Sequence, residues 1–421
     1  MKAKLYYIAL ASLSLLLLWE VQDLAKFHTS TPPPNSDFSA YYLGAERLLA
    51  DPATLYELSA AVHSAGYIYP PLSILLFLPF ALFDYETAYL LFVSSIAIAL
   101  IVLVWCVTRA RQHVSLSGSV DKHAKSALFA LLVLTSGPAF NTSVSGQVNS
   151  IVLALCLGGV LLGLRRQHLL GGVLLAFACW IKIYPVLLIV AMLSIKSQRK
   201  TALFSIATGV LLPVAALPLV PPVVYDHYFL QLLPTLSGKI LSTLSNQSIT
   251  GSAVRLLLPT DQWLVWVEMD VPKWVRLLNA AILATVIAMF SFTRISRSRD
   301  VLLVTFLALA FIPLIAPWGW GHSFLFVIPL VAHCGVYGKR LETRVVGIVA
   351  WLLLLVPAYS TLTPLRPLGG FVMGVLYFRY FIAASAVILV AVAWGYSTAR
   401  SLGAHHTLAY SPDAIDANKN M

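Results

Sequence analysis

The residues best suited to chemistry are few and widely spaced. Asp37 stands in Asn35-Ser-Asp-Phe-Ser-Ala-Tyr-Tyr42, directly after Pro32-Pro33-Pro34. A carboxylate there can accept a proton from an attacking hydroxyl, and it can equally be the first-turn acid of a helix. Ser145-Gly-Gln-Val-Asn149 supplies a small residue for close backbone approach and then two amides, Gln147 and Asn149. A capped turn gives the same pattern. Lys182, in Lys182-Ile-Tyr-Pro185, interrupts an apolar run. A cation so placed either reaches back to the membrane interface or binds a phosphate.

Two further groups follow. Asn246-Gln247-Ser248 leads into a short segment ending in Arg255, and reads as a loop entering an amphipathic helix. Asn246 and Asn141 also fit the glycosylation pattern, which is common by chance. Trp318-Gly-Trp-Gly-His322 is either an aromatic belt at a membrane boundary or a belt carrying a histidine that binds a head group or moves a proton.

These residues need a scaffold, and the composition names its class. Of 421 residues, 59% are hydrophobic and 11% charged. Many apolar runs approach the roughly 17–25 residues that cross a bilayer, so the fold expected is an all-α polytopic membrane protein. The formal charge of +11 lies in short pieces between apolar runs, as cytoplasmic loops require, without the aromatic interleaving of a nucleic-acid surface. Nucleic acid is therefore excluded as a partner. Cys106, Cys156, Cys179 and Cys334 lie inside apolar segments and read as small core residues. The N-terminal run has no small-residue cleavage site after it and reads as a retained first span.

Walking the loops places both termini in the cytoplasm, with about twelve spans between them. Spans are expected near 5–22, 86–108, 125–139, 147–164, 168–181, 185–195, 201–219, 273–293, 300–316, 322–337, 344–360 and 371–396. Residues 1–396 form one integral-membrane domain, and 397–421 form a disordered cytoplasmic tail. Segments 23–84 and 220–272 are the large outer loops, the first carrying an interfacial helix. Residues 72–83 are apolar but too short to cross, so they re-enter or lie in the outer interface. On this topology Asp37, Gln147, Asn149, Lys182, Asn246, Arg255 and His322 all gather toward the extracytoplasmic face. Convergence of polar groups at one depth marks a site.

Taken together these residues resemble glycosyltransferase family 87, formerly a domain of unknown function within the GT-C superfamily. The similarity runs over roughly residues 30–335. It is carried by Asp37-Phe-x-x-Tyr41-Tyr42 with Tyr56, Tyr67-x-Tyr69-Pro70-Pro71, Gly146-Gln-Val-Asn149, Lys182-x-Tyr-Pro185, Asn246-Gln-Ser248 with Arg255, and His322. The resemblance implies a GT-C-like fold in the plasma membrane. It also implies a polyprenyl-phosphate sugar donor, a lipid-linked or glycan acceptor, and mannose as the sugar, transferred with inversion to an α-linkage. Asp37 is then the general base. Lys182, Arg255, His322, Gln147 and Asn149 are expected on the donor phosphate, and Tyr41, Tyr42, Tyr69, Asn246 and Gln247 on the substrates. No paired outer carboxylates suggest a metal, so metal-independent transfer without cofactor is expected.

Two other classes compete. A transporter or lipid flippase predicts charges near the bilayer midplane and a repeat relating two halves. An assembly factor would use the outer loops only to bind a partner. Polar groups at the outer ends of spans favour the transferase. Oligomeric state is silent in the sequence.

Overall fold

The computed structural model describes residues 10–18, 20–22, 37–57, 66–114, 120–259, 262–263, 267–292, 300–355 and 378–409. It is nearly all α-helix, because the Leu-, Ile- and Val-rich runs satisfy their backbone groups internally and are broken only at Pro, Gly and basic residues. Helix Asn149–Leu164 stops at Arg165-Arg166, where Arg166 adopts φ 63°. Helix His168–Ile181 stops at Lys182, whose backbone is extended, and Pro185 precedes the next helix, Val186–Ser194. Pro185 has no N–H to donate to the Ile181 carbonyl four residues back, and its ring would clash there, so one helix cannot run through 181–185. The break beside Lys182 follows from that.

Three described helices are long and apolar enough to cross a membrane: 85–111, 199–216 and 273–291. The pair 123–134 and 137–144, bent by 49°, makes a fourth if it is one span. Shorter apolar helices include Asn149–Leu164, His168–Ile181 and Val301–Ile315. Helices stand at most of the expected span positions, but the count of about twelve is not reached on helix length alone among the described residues. Residues 5–9, 19, 293, 356–360 and 371–377 of the expected spans, and 410–421 of the expected tail, lie outside the described residues.

Four local features add to or change this picture. The fold is not purely helical, since Lys239–Ser242 pairs antiparallel with Val267–Asp270 inside the long segment 220–272. Lys239 and Asp270 close that small sheet at 3.0 Å. The stretch between the spans expected at 125–139 and 147–164 is mostly a short helix, Gly137–Val144, started by Ser136, whose hydroxyl accepts from the Ala139 N–H. Segment 72–83 is neither a span nor one helix. It forms two 3-10 turns, Pro71–Leu76 and Leu78–Leu82, each opening on a proline. The last helix runs from Arg379 to Ala409, past the point where a disordered tail was expected to begin.

Close helix packing builds the interior. Helix Asn149–Leu164 meets helix His168–Ile181 where Gly159 and Gly171 face each other; a Cβ on Gly171 would sit 2.7 Å from the Gly159 carbonyl oxygen. Small residues allow this approach where an apolar solvent provides no hydrophobic drive.

Segment 243–255 is locked to 317–319. Asn246 is fully buried, donates to the carbonyls of Leu241 and Pro317, and accepts from Gly319 N–H and the Ser248 hydroxyl. Its burial removes it as a glycosylation acceptor. Asn246→Ala strands several of these groups at once, and should cost about 3 kcal/mol or more. The thermal unfolding midpoint of purified protein in detergent checks this, and an unchanged midpoint would contradict it.

Candidate active site

The Asp37 helix, Asp37–Ala50, is positioned by its aromatic face. Phe38 stacks on Phe92 with ring centroids 4.8 Å apart, and Tyr41 stacks on Phe77 at 4.3 Å. Such pairs add about 0.5–1.5 kcal/mol each beyond the area they bury. Gly44 lets the helix sit against Tyr67, because a Cβ there would lie 2.9 Å from the Tyr67 ring. The Tyr67 hydroxyl in turn bonds Ser73 at 2.5 Å. The helix is thus fixed on its long axis.

Its first residue is fixed separately. The Asp37 N–H donates to the Ser145 carbonyl at 2.9 Å. The next residue, Gly146, has φ +65°, and a Cβ on it would lie 3.2 Å from the Phe38 Cβ. A glycine is required there twice over, by conformation and by space. Gly146→Ala is expected to cost about 1–2 kcal/mol and to lower activity further by displacing Asp37 from Gln147. The comparison of unfolding midpoint with turnover tests this; a stability loss with unchanged turnover would separate the turn from the site.

Gln147 is the centre of the cluster. Its Nε2 donates to Asp37 Oδ2 at 2.5 Å, while its Oε1 accepts from Lys182 Nζ at 3.2 Å. The same oxygen lies 3.1 Å from the Tyr69 hydroxyl and 3.2 Å from that of Tyr41, and the two hydroxyls are 2.7 Å apart. The orientation of the amide is forced. A carboxylate can only accept and an ammonium can only donate, so the glutamine must present NH₂ to Asp37 and oxygen to Lys182. One neutral side chain therefore links a carboxylate and a cation.

Lys182 also donates to Asn149 Oδ1 at 2.6 Å and lies 5.3 Å from the Tyr69 ring centroid. The same logic fixes Asn149: its oxygen faces the lysine, so its NH₂ faces away. That Nδ2 is buried and has no hydrogen-bond partner among the described residues. A buried, unspent donor beside a cation is costly unless a ligand oxygen completes it. Gln147, Asn149 and Lys182 are 4%, 0% and 9% exposed, whereas Asp37 and Tyr69 keep partial exposure. The cluster therefore opens on the Asp37 and Tyr69 side.

Burial pushes the Asp37 carboxyl above the usual aspartate range, and the Gln147 hydrogen bond and the Lys182 charge draw it back. Burial likewise raises the Tyr41 and Tyr69 phenols, so both serve as neutral donors. His322, in the 3-10 turn Gly321–Phe326, is within electrostatic reach of Lys182, and its carbonyl lies 3.4 Å from the Thr142 hydroxyl. Among the described residues no three His, Cys, Asp or Glu side chains come together in a group fit to hold a metal ion.

The expected site residues therefore divide. Asp37, Tyr41, Tyr69, Gln147, Asn149 and Lys182 form one connected cluster, with His322 beside it. Tyr42 does not join, since its hydroxyl donates to the Phe83 carbonyl at 2.8 Å. Arg255 is fully buried, and its guanidinium donates to the carbonyls of Thr243 and Asn246 at 2.7 and 2.9 Å. Gln247 Nε2 donates to the Leu244 carbonyl at 2.6 Å. Asn246, Gln247 and the Arg255 Nη1 thus shape the 243–255 loop, while the buried Arg255 Nε has no hydrogen-bond partner among the described residues. Phe77 and the Ser145 carbonyl are positioning groups that the sequence did not single out, the first hidden in an apolar run and the second carrying no side-chain signal.

A family model described as glycosyltransferase family 87 matches residues 67–317, more than half of the chain. The match contains Tyr69, Gln147, Asn149 and Lys182; Asp37 precedes it and His322 follows it. No curated protein matches the chain.

Proposed function

Because the chain belongs to glycosyltransferase family 87, we propose that it moves a sugar, mannose by preference, from a polyprenyl phosphate to a lipid-linked or glycan hydroxyl on the extracytoplasmic face of the plasma membrane. The observation that carries this reading is the Asp37–Gln147–Lys182–Asn149 chain, which holds a base and a cation with a spare donor in one buried cluster.

The step is a single displacement. The acceptor oxygen bonds to the anomeric carbon as its proton passes to Asp37, and the bond from that carbon to the phosphate oxygen breaks. A β-linked donor then gives an α-linked product. Negative charge grows on the departing phosphate, where the Lys182 ammonium and the Asn149 NH₂ are the available partners. Tyr69 and Tyr41 hold Gln147, and Gln147 holds Asp37 in its accepting orientation. Arg255 fixes the 243–255 loop through its Nη1.

No metal enters this scheme, because cation and donor come from the chain itself. Asp37 leaves the step protonated and gives that proton up before the next turnover.

The reading is tested by incubating purified protein with a panel of labelled polyprenyl phosphate sugars and a native lipid extract. A labelled glycolipid from the mannosyl donor is expected. Transfer from nucleotide sugars instead, or movement of intact lipid across vesicles without transfer, would overturn it.

A further inference from the structure

A second feature lies apart from the Asp37 cluster. A cavity of about 820 Å³ opens between the starts of helices His168–Ile181 and Arg199–Ala216. Its rim carries Arg166, His168 and Lys200, and its walls are Leu170, Leu203 and Phe204. These walls are exposed by 57%, 54% and 41%. No acidic side chain lines the cavity. His168 Nδ1 lies 2.9 Å from the Thr201 hydroxyl, which ties the two helix starts together across the rim.

We propose that this groove binds one anionic phospholipid of the cytoplasmic leaflet, its phosphate on Arg166, Lys200 and His168 and an acyl chain along Leu170, Leu203 and Phe204. Charge complementarity fixes the head group: two cationic side chains, Arg166 and Lys200, with the His168 ring and the positive ends of two helices, face one opening. The walls decide between a lipid and a free anion. A free phosphate would leave the leucines and Phe204 wet, whereas an acyl chain covers them. The volume is that of a small-molecule site. The leaflet assignment rests on the reading of the basic loops as cytoplasmic, since Arg165, Lys196 and Arg199 stand at the same end. The site is independent of sugar transfer, and its test uses no donor.

The test is native mass spectrometry of delipidated, purified full-length protein given phosphatidylglycerol or phosphatidylcholine with the same acyl chains. Wild type should retain one phosphatidylglycerol, with affinity about tenfold or more above phosphatidylcholine. Arg166→Ala/Lys200→Ala should abolish that preference. Lys196→Ala/Lys339→Ala, a basic pair outside the lining, should keep it. Leu203→Trp fills the groove without touching its charges and should release the lipid too, so the assignment stays testable if the double variant fails to fold. Equal retention by wild type and both groove variants would overturn the proposal. So would an equal loss in the Lys196/Lys339 pair, or displacement of phosphatidylglycerol by millimolar inorganic phosphate.

Discussion

Asp37→Asn is expected to lower sugar transfer by about 10²–10⁴ while leaving the fold and donor binding intact. The substitution keeps shape and keeps an acceptor oxygen for the Gln147 amide, so the hydrogen bond at 2.5 Å has a neutral counterpart. The helix anchors, Phe38 on Phe92 and the Asp37 N–H on Ser145, are untouched. What disappears is basicity. An attacking hydroxyl then has to release its proton without a partner, and only the rate should fall. A variant that lost donor binding equally would mean that Asp37 holds substrate rather than protons.

Lys182→Met should cost about 10²–10³ in transfer and should also move the pH profile. Lys182 is the cation whose charge lowers the Asp37 carboxyl against the raising effect of burial. Without it the carboxyl rises further. Transfer needs ionised Asp37, so it fails as pH drops through that group's titration. The acid limb of the pH–rate profile must therefore shift to higher pH in the variant. A variant that lost rate with an unmoved acid limb would sever the lysine from Asp37. The same substitution leaves the Asn149 carbonyl oxygen without its donor, so a moderate loss of stability accompanies it. Turnover corrected for folded fraction separates the two effects.

Much of the site was legible because an apolar chain makes each polar interruption conspicuous. Asp37, Gln147, Asn149 and Lys182 stood out as costly groups in or beside membrane-length runs, and the structure joins all four. Tyr41 and Tyr69 entered through the family resemblance as substrate contacts, and the structure sets both hydroxyls on Gln147. The division within the list was not readable. Asn246, Gln247 and Arg255 have side-chain chemistry like that of the cluster residues, but backbone carbonyls of their own loop and of 317–319 take up the Asn246 and Gln247 amides and the Arg255 Nη1, leaving the Arg255 Nε without a partner among the described residues. Whether an amide is spent or spare depends on partners distant in the chain, and no local pattern encodes it.

Architecture was legible to a similar depth. Helix positions followed from the apolar runs, but two details had no sequence signal strong enough to see. Strands Lys239–Ser242 and Val267–Asp270 have four residues each, too short for alternation to stand out. The 49° bend between 123–134 and 137–144 falls at Ser136 and Pro138, inside the run expected to span at 125–139. The aromatic seat of the Asp37 helix escaped notice for a related reason: Phe77 and Phe92 belong to apolar segments, where a phenylalanine facing lipid and one facing a site look alike.

The central claim is that the Asp37 cluster performs the displacement. Its most direct measurement follows labelled polyprenyl phosphate mannose with purified wild-type and Asp37→Asn protein side by side, in the presence of native acceptor lipid, scoring bound donor and transferred sugar on the same samples. The account predicts α-linked product from wild type, and donor bound but left intact by the variant. Product formed by Asp37→Asn at the wild-type rate would contradict it.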